Sequence, residues 1–155
     1  MKIEKCLINY LDLESKKYIG NYGSSFKNSF IIKVKDENNK LISVAVCSIL
    51  TNSELEKELE KLAINFKLYS EECNNNEYED WKAEFINKLE NSIYLEYITS
   101  IERNIGGAKF IIDYIKKNYN KFWLYSAFEA EEYWSDKIKL YSSEEYFYST
   151  EMINL

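Results

Sequence analysis

The chain of 155 residues contains no histidine and no proline, and it has only three cysteines, four glycines and one arginine. Without histidine, Ser-His-Asp and Cys-His catalysis and histidine-ligated zinc sites are excluded within this chain. Cys6, Cys47 and Cys73 lie far apart without a paired spacing, so we predict neither a disulfide framework nor a thiolate metal site. These absences remove many enzyme classes at once.

Long apolar runs are also missing. No stretch of about 18 apolar residues is present, and residues 1–5 lack the apolar core of a secretory signal. The hydrophobic fraction of 46% and the length suit one domain with a buried core. We therefore expect a single cytoplasmic domain over residues 1–155 that does not associate with membranes.

The net charge of −6 is concentrated in one segment. Residues 53–90 carry 11 Asp or Glu against 5 Lys, so the rest of the chain is neutral overall. This acidity opposes binding to nucleic acids and anionic membranes, and it is compatible with a cationic substrate or a basic partner. The simpler alternative is that the charges keep two helix faces solvated.

The first half of the chain predicts a strand, a β-hairpin and two helices. Residues 3–10 favour a strand, and the segment that follows, up to residue 28, is rich in loop-forming residues. Residues 30–35 and 41–49 flank a polar turn and predict the hairpin; the small residues Ser43, Ala45 and Cys47 on one face indicate close packing there.

Ser53 and Glu56 form a capping-box pattern before the first helix. Apolar residues then recur at helical spacing, at Leu55, Leu59, Leu62, Phe66 and Tyr69, and again at Tyr78, Trp81, Phe85 and Leu89.

The second half alternates strands and helices. Residues 93–101 predict a strand with Ile93, Leu95 and Tyr97 on one face, and residues 108–119 predict an amphipathic helix with a basic end. Residues 121–128, 129–138 and 146–153 predict a strand, a short helix and a terminal strand. The whole pattern predicts a mixed α+β fold.

A glycine-containing turn joins the strand at residues 93–101 to the helix that follows it. It runs from Arg103, the only arginine, to Ala108, and includes the adjacent Gly106 and Gly107. Paired glycines let backbone amides approach a ligand, and a helix start supplies unpaired N–H groups and a favourable dipole. We therefore expect a phosphate to bind here. Neither a Gly-x-Gly-x-x-Gly nor a Gly-Lys-Ser/Thr motif is present.

The order of strand, turn, helix, strand, short helix and last strand resembles the GCN5-related N-acetyltransferase superfamily over residues 91–153. RNIGGA, at residues 103–108, is similar to that superfamily's Gln/Arg-x-x-Gly-x-Gly/Ala signature, and AEEYW, at residues 130–134, is similar to its later Ala-x-x-aromatic-Tyr stretch. The resemblance implies a central, mostly antiparallel twisted sheet flanked by helices. It also implies acetyl-coenzyme A as a cosubstrate.

By this resemblance, amides of the glycine turn would hold the pyrophosphate of the coenzyme, and main-chain groups of Ile98 and Ser100 would pair with its pantetheine arm. The residues expected to bind the coenzyme are Ile98, Ser100, Arg103, Asn104, Ile105, Gly106, Gly107, Ala108 and Lys109. Ala108 would keep the helix close to the sheet.

Acyl transfer to an amine needs a base for the amine and an acid for the departing thiolate. Glu96 is the candidate base and Tyr133 the candidate acid; the ordinary roles of such residues are solubility and packing. The sequence departs from the family at Trp134, which occupies the usual tyrosine position. The two acidic helices also follow the hairpin, whereas the family generally places its two early helices between the first two strands.

The sequence thus favours an N-acyltransferase that moves an acetyl group to an amine on a small molecule or a protein. The alternative is a catalytically degenerate module of the same fold that acts by protein binding, for which 14 tyrosines and three tryptophans supply aromatic surface. The run from Tyr141 to Tyr148 is either an exposed patch or a packed strand, and we favour the strand. The acceptor and the oligomeric state stay open.

Overall fold

A computed structural model describes residues 1–8, 13–20, 26–65, 75–119, 122–127, 131–135, 140–142 and 146–149 of the chain. Its strands are β1 Lys2–Leu7, β2 Ser29–Lys35, β3 Leu41–Ser48, β4 Ile93–Ser100, β5 Phe122–Ala127, β6 Leu140–Ser142 and β7 Tyr146–Ser149. Its helices are α1 Leu13–Ile19, α2 Asn52–Asn65, α3 Asn75–Leu89, α4 Gly107–Asn118 and α5 Glu131–Ser135. None of these helices is long and apolar enough to cross a membrane.

All seven described strands form one sheet in the order β1-β2-β3-β4-β5-β7-β6. Every neighbouring pair is antiparallel except β4 and β5, which run parallel. A parallel pair needs a crossover connection, and α4 provides it between β4 and β5. The predicted α+β class, with a mostly antiparallel sheet, is confirmed.

The predicted hairpin is formed by β2 and β3. Its turn is stabilised by Asp36, whose Oδ1 accepts hydrogen bonds from the N–H groups of Asn38 at 2.8 Å and Lys40 at 2.9 Å. Asn39 adopts a left-handed conformation with φ 63°, which asparagine tolerates well. Both strands are buried along almost their whole length, so this hairpin forms the centre of the core.

Helices cover both faces of the sheet. On one face α4 packs over a core that includes Ile111, Ile112 and Ile115, together with Ala45 and Cys47 from the small face of β3. The close packing predicted for that face is therefore confirmed. On the other face, α1 covers Ile31, Val44 and Val46, and α2 and α3 cover Trp123 with the side chains Leu50, Leu55, Leu59, Phe85 and Leu89.

Two features of the helices differ from the sequence prediction. α1 lies in the segment predicted to be loop, and its Ile19 is buried against Ile31. The capping box of α2 uses Thr51 and Glu54 rather than Ser53 and Glu56: Thr51 Oγ1 accepts from Glu54 N–H at 3.3 Å, and Glu54 Oε2 accepts from Thr51 N–H at 2.8 Å. The reciprocal hydrogen bonds of a capping box are therefore present, but they begin two residues earlier than predicted.

The C-terminal elements are shorter than predicted. The helix expected over residues 129–138 is α5, Glu131–Ser135, and the strand expected over residues 146–153 is β7, Tyr146–Ser149, with residues 150–153 outside the described part. β6, Leu140–Ser142, was not predicted, and it pairs with β7 through Tyr141 and Tyr148. The aromatic run from Tyr141 to Tyr148 therefore contributes to two short strands rather than one, and its packing stays a prediction.

β1 is an edge strand of the sheet and carries charged side chains. Glu4 Oε2 lies 2.9 Å from Lys35 Nζ on the neighbouring strand, and Glu4 Oε1 lies 3.7 Å from Lys2 Nζ. The hydrogen bond from Lys35 holds the pKa of the Glu4 carboxyl below its usual range. β1 is therefore joined to β2 by ionic contacts as well as by the backbone ladder.

Candidate functional site

The parallel pair β4 and β5 is joined over only three residues, Ile93 to Leu95 on β4 with Phe122 to Leu124 on β5. Beyond this point β4 continues to Ser100 in register with β3, and β5 continues to Ala127 in register with β7. β4 and β5 are therefore no longer paired with each other after Leu95 and Leu124. We call the space between residues 96–100 and residues 125–127 the β4–β5 opening.

Main-chain groups of β4 point into this opening. The N–H of Ile101, at the end of the strand, donates to the carbonyl of Ile42 on β3 at 2.8 Å. Because the peptide groups of successive strand residues alternate between the two edges, those of Ile98 and Ser100 point away from β3. The two residues predicted to meet the pantetheine arm thus present their backbone at the opening.

The glycine turn follows directly at the carboxyl end of β4. Asn104 and Gly106 both have left-handed backbones, with φ 66° and 79°. The first hydrogen bond within α4 runs from Phe110 N–H to Gly106 O at 2.9 Å, and no side chain caps the helix start. The N–H groups of Gly107, Ala108 and Lys109 are therefore not used inside the helix and are suited to an anion.

Gly107 has a role that the sequence analysis gave to Ala108. A Cβ atom at Gly107 would lie 2.8 Å from Ile42 Cγ2 and 2.8 Å from Ser43 Cβ. Gly107 is buried and lets the helix start rest directly on β3, whereas Ala108 is partly exposed. The closest approach of α4 to the sheet therefore depends on the glycine.

The other side chains of the turn face solvent. Arg103, Asn104 and Lys109 are exposed, and Ile105 is 44% exposed. Just before them, Glu102 forms an ion pair with Lys40 from the hairpin turn, and this hydrogen bond raises the pKa of Lys40. The pair ties the glycine turn to the β2–β3 hairpin and leaves two exposed cations, Arg103 and Lys109, in this stretch.

Glu96 lies at a bulge in β4. Leu95 is in register with Cys47 and Tyr97 is in register with Val46, so Glu96 is an extra residue on β4. The bulge corrects the predicted alternation: Tyr97 packs with the α1 cluster, and Ile98 packs with the α4 core. Bulges are common beside active sites because they re-aim a side chain.

The half-buried carboxylate of Glu96 accepts from Ser48, which in turn contacts Ser29, and the sequence analysis singled out neither serine. Ser48 on β3 donates a hydrogen bond to Glu96 Oε1, and the hydroxyls of Ser48 and Ser29 lie 2.8 Å apart. Both serines are buried, with exposures of 0% and 5%. The available sequence signal was a serine at the end of each hairpin strand that lies away from the turn, which places Ser29 opposite Ser48.

Tyr133 lies on the side of the sheet where α4 packs. It is 41% exposed, and its ring meets Trp134 edge to face at a centroid distance of 4.9 Å. Partial burial, and then the Asp113 carboxylate on α4, raise the pKa of the Tyr133 hydroxyl. Trp134, at the position where the resembled family has its tyrosine, is 5% exposed and belongs to the core beneath α4.

The structure therefore does not place the two predicted catalytic residues on the same face. Glu96 bonds to Ser48 on the face covered by α1, α2 and α3, while Tyr133 accompanies Trp134 on the α4 face. Both follow the residues of the parallel pair along the chain: Glu96 comes directly after Leu95 on β4, and Tyr133 lies on α5, which comes after β5.

The acidic helices lie on the same face as Glu96. α2 and α3 pack against Tyr94, two residues before it. Lys82 on α3 lies 3.1 Å from Glu79; this hydrogen bond raises the lysine pKa, and Glu56 and Glu60 of α2 add to the effect. The carboxylates of the two helices thus create a negative field on this side.

Among the side chains that the structure describes, no group of three or more Cys, Asp or Glu residues could hold a metal ion. Comparison of the chain with protein-family models, with curated proteins and with solved structures finds no match.

Proposed function

We propose that this protein is an N-acyltransferase with a divergent fold like that of the GCN5-related N-acetyltransferases, moving an acetyl group from acetyl-coenzyme A to an amine. The observation that carries the proposal is the β4–β5 opening, which lies directly beside the uncapped start of α4. The opening offers strand-like pairing to an amide-containing chain, and the helix start offers N–H groups to an anion. Acyl-coenzyme A contains both groups in one molecule, the amides in its pantetheine arm and the negative charge in its pyrophosphate.

The pyrophosphate would be held by the amides of Gly107, Ala108 and Lys109. Two left-handed residues, Asn104 and Gly106, turn the preceding backbone around the same position. Arg103 and Lys109 add positive charge beside the turn, and their side chains are exposed to solvent. From there the pantetheine arm would run into the opening, with its amides on the peptide groups of Ile98 and Ser100 that point away from β3.

The reacting thioester would then lie between Glu96 and Tyr133. Glu96, on one face, accepts a proton from the amine as its nitrogen attacks the thioester carbonyl. Tyr133, on the other face, protonates the departing sulfur, and its raised pKa keeps the hydroxyl protonated at neutral pH.

A cationic acceptor is favoured by the position of α2 and α3. Their carboxylates lie on the Glu96 side, so an ammonium group is attracted toward this side. It loses one proton to water there, and the neutral amine then attacks and gives a second proton to Glu96. Competition among amines of different charge in a thiol-release assay measures this preference. Equal rates for cationic and neutral amines would contradict it.

Calorimetric titration with acetyl-coenzyme A tests the binding site. Lys109→Glu places a carboxylate among the proposed pyrophosphate ligands, and an acidic residue is well tolerated in a first helical turn. We expect binding about tenfold weaker or worse, corresponding to at least about 1.4 kcal/mol. Gly107→Glu would be a poor test because its side chain would collide with Ile42 and Ser43.

Lys117→Glu is the matched control. It changes the net charge equally and lies eight residues further along the same helix, at an exposed position near its C-terminus. Eight residues correspond to about 12 Å, so a local effect leaves this variant close to the parent. If the two variants bind the coenzyme equally well, the glycine turn is not the pyrophosphate site.

The second candidate function is a coenzyme-binding module without turnover. It is favoured by Trp134, which fills the core at the position where the resembled family has its tyrosine. Binding of acetyl-coenzyme A without release of thiol in the presence of amines would support this module over the enzyme.

A further inference from the structure

The glycine turn is held near both of its ends by one residue of β3. Ile42 lies at the register shift between β2 and β3, so it is an extra residue on its strand. Its carbonyl accepts hydrogen bonds from the N–H groups of Ile101 at 2.8 Å and Glu102 at 3.4 Å, just before the turn. Its Cγ2 would lie 2.8 Å from a Cβ atom at Gly107, where α4 starts. The backbones of Glu102 and Gly107 are therefore both packed against Ile42.

This arrangement brings a carboxylate close to the proposed pyrophosphate site. The amides that would hold the pyrophosphate begin at Gly107, and the side chain of Glu102 starts from the other backbone segment that rests on Ile42. At a separation of the order of 10 Å in water, a unit charge changes the affinity for a doubly charged group about threefold. An unpaired carboxylate at Glu102 would therefore weaken binding of the coenzyme.

Lys40, in the turn between β2 and β3, forms an ion pair with this carboxylate. Asp36 Oδ1 accepts a hydrogen bond from the N–H of Lys40 at 2.9 Å, so the backbone of Lys40 is fixed within the turn. The hydrogen bond to Glu102 raises the pKa of the Lys40 ammonium, which is therefore charged at neutral pH. The two side chains are 62% and 31% exposed, and an ion pair at the surface contributes little to stability. The pair therefore matters more for the charge beside the glycine turn than for the stability of the fold.

We propose that Lys40 assists coenzyme binding by neutralising Glu102 and holding its carboxylate toward the hairpin, away from the pyrophosphate. This inference rests on the proposed function, because the anion is the coenzyme of that reaction. Lys40 acts through Glu102 and does not touch the coenzyme, so it is a positioning residue. Arg103 and Lys109 differ from it, since they would attract the coenzyme directly.

Three variants distinguish this role of Lys40 from two others. Lys40→Met leaves the Glu102 charge unpaired, so binding of acetyl-coenzyme A becomes about threefold weaker at low salt. Glu102→Gln leaves the lysine charge unpaired, so binding becomes tighter by a similar factor. The double variant has neither charge and returns close to the parent.

The two other roles predict different results and would overturn the proposal. If the ion pair served only to hold the shape of the turn, Glu102→Gln would weaken binding just as Lys40→Met does. If Lys40 contacted the coenzyme itself, the double variant would bind as weakly as Lys40→Met alone. The sign of the change in Glu102→Gln and the recovery in the double variant are therefore the two decisive observations.

The measurement is a calorimetric titration of the full chain with acetyl-coenzyme A, first at low ionic strength and then with added salt. Lys61→Met is the matched control: Lys61 Nζ lies 2.6 Å from Glu58 Oε1 in another exposed ion pair, on α2, and its loss changes the net charge equally. This variant should bind the coenzyme as the parent does. The Debye length falls from about 30 Å at 0.01 M salt to about 3 Å at 1 M, so the differences among the Lys40 and Glu102 variants should disappear. Differences that persist at high salt would overturn the proposal.

The same titrations separate a failure of this inference from a failure of the proposed function. If the parent binds acetyl-coenzyme A and Lys109→Glu weakens that binding, but Lys40→Met binds as the parent does, the inference is wrong and the proposed function stands. If the parent does not bind acetyl-coenzyme A, both are wrong.

Discussion

The two edges of β4 are held very differently. Toward β3 the strand is in register from Tyr94 to Ser100, interrupted only by the bulge at Glu96. Toward β5 it is in register from Ile93 to Leu95 and no further. One edge therefore contributes a long antiparallel ladder, and the other contributes three paired residues and a row of peptide groups directed at the opening.

The edge of β4 toward β3 contributes to stability, and the edge toward β5 is the one that the proposed function assigns to the coenzyme. The ladder edge joins the buried hairpin, and the start of α4 rests on the same hairpin through Gly107. The edge toward β5 has the peptide groups that the proposed coenzyme would use. In the proposed function, the long ladder with β3 holds these groups in place before the coenzyme arrives.

The largest effect that we expect is on the rate of acyl transfer, and it concerns Glu96, where β4 is no longer paired with β5. Glu96→Gln removes the proposed base and should lower kcat/KM for acyl transfer about 10²- to 10⁴-fold. Thiol release with acetyl-coenzyme A and an amine measures the loss. Glu90→Gln, at an exposed position just before β4, is the control and should retain the parent rate. Full activity of Glu96→Gln would remove this residue from the mechanism.

The next largest effect is on the free energy of unfolding, and it concerns the contact between Gly107 and β3. Gly107→Val adds atoms where a Cβ already lies 2.8 Å from β3, and we expect the free energy of unfolding to fall by about 3 kcal/mol. Gly106→Ala is the neighbouring control: its Cβ meets open space, and the cost of its left-handed backbone is about 1 kcal/mol. Urea denaturation compares the two. Equal losses would show that α4 does not depend on this contact.

The smallest effect lies away from both edges, at the start of α2. Thr51→Ala removes the hydroxyl that caps Glu54 N–H and should reduce the free energy of unfolding by about 1 kcal/mol, while Thr51→Ser should restore it. Denaturation at neutral pH provides the measurement. A loss as large as that of Gly107→Val would contradict this ranking.

The stability that the cap of α2 contributes should depend on pH through the Glu54 carboxyl. Burial acts to raise the pKa of Glu54, but hydrogen bonds from the backbone N–H groups of Thr51 and Lys27 outweigh it, so the pKa is lowered. The stabilisation is therefore complete above the ordinary glutamate pKa of about 4.3 and is lost as the pH falls through the lower folded value. Stability measured across this acidic range should decrease accordingly.

Much of the fold could be predicted from local pattern. The β2–β3 hairpin, β4, α4 and β5 were located to within a few residues because apolar periodicity and turn residues agree in each. α1 was not predicted, since its seven residues are too few to establish a helical stripe. The capping box of α2 was misplaced by two residues because Thr51 and Ser53 both have an acidic residue three positions later.

The candidate site was less predictable, because it depends on how strands meet. The glycine turn could be found from composition, and its place at the start of α4 agrees with the prediction. The bulge at Glu96 arises from a mismatch between β3 and β4, and no pattern within β4 alone shows it. The same holds for Ser48 and Ser29, which come together with Glu96 only through the sheet.

β1 at the sheet margin has a consequence for how copies of this protein meet in solution. A terminal strand offers its outer peptide groups to any extended chain that approaches, which is a common beginning of aggregation. Lys2, Glu4 and Lys5 distribute both signs of charge along this strand. A second molecule docking there would have to dehydrate those ions, so the charges of β1 discourage strand addition at this margin.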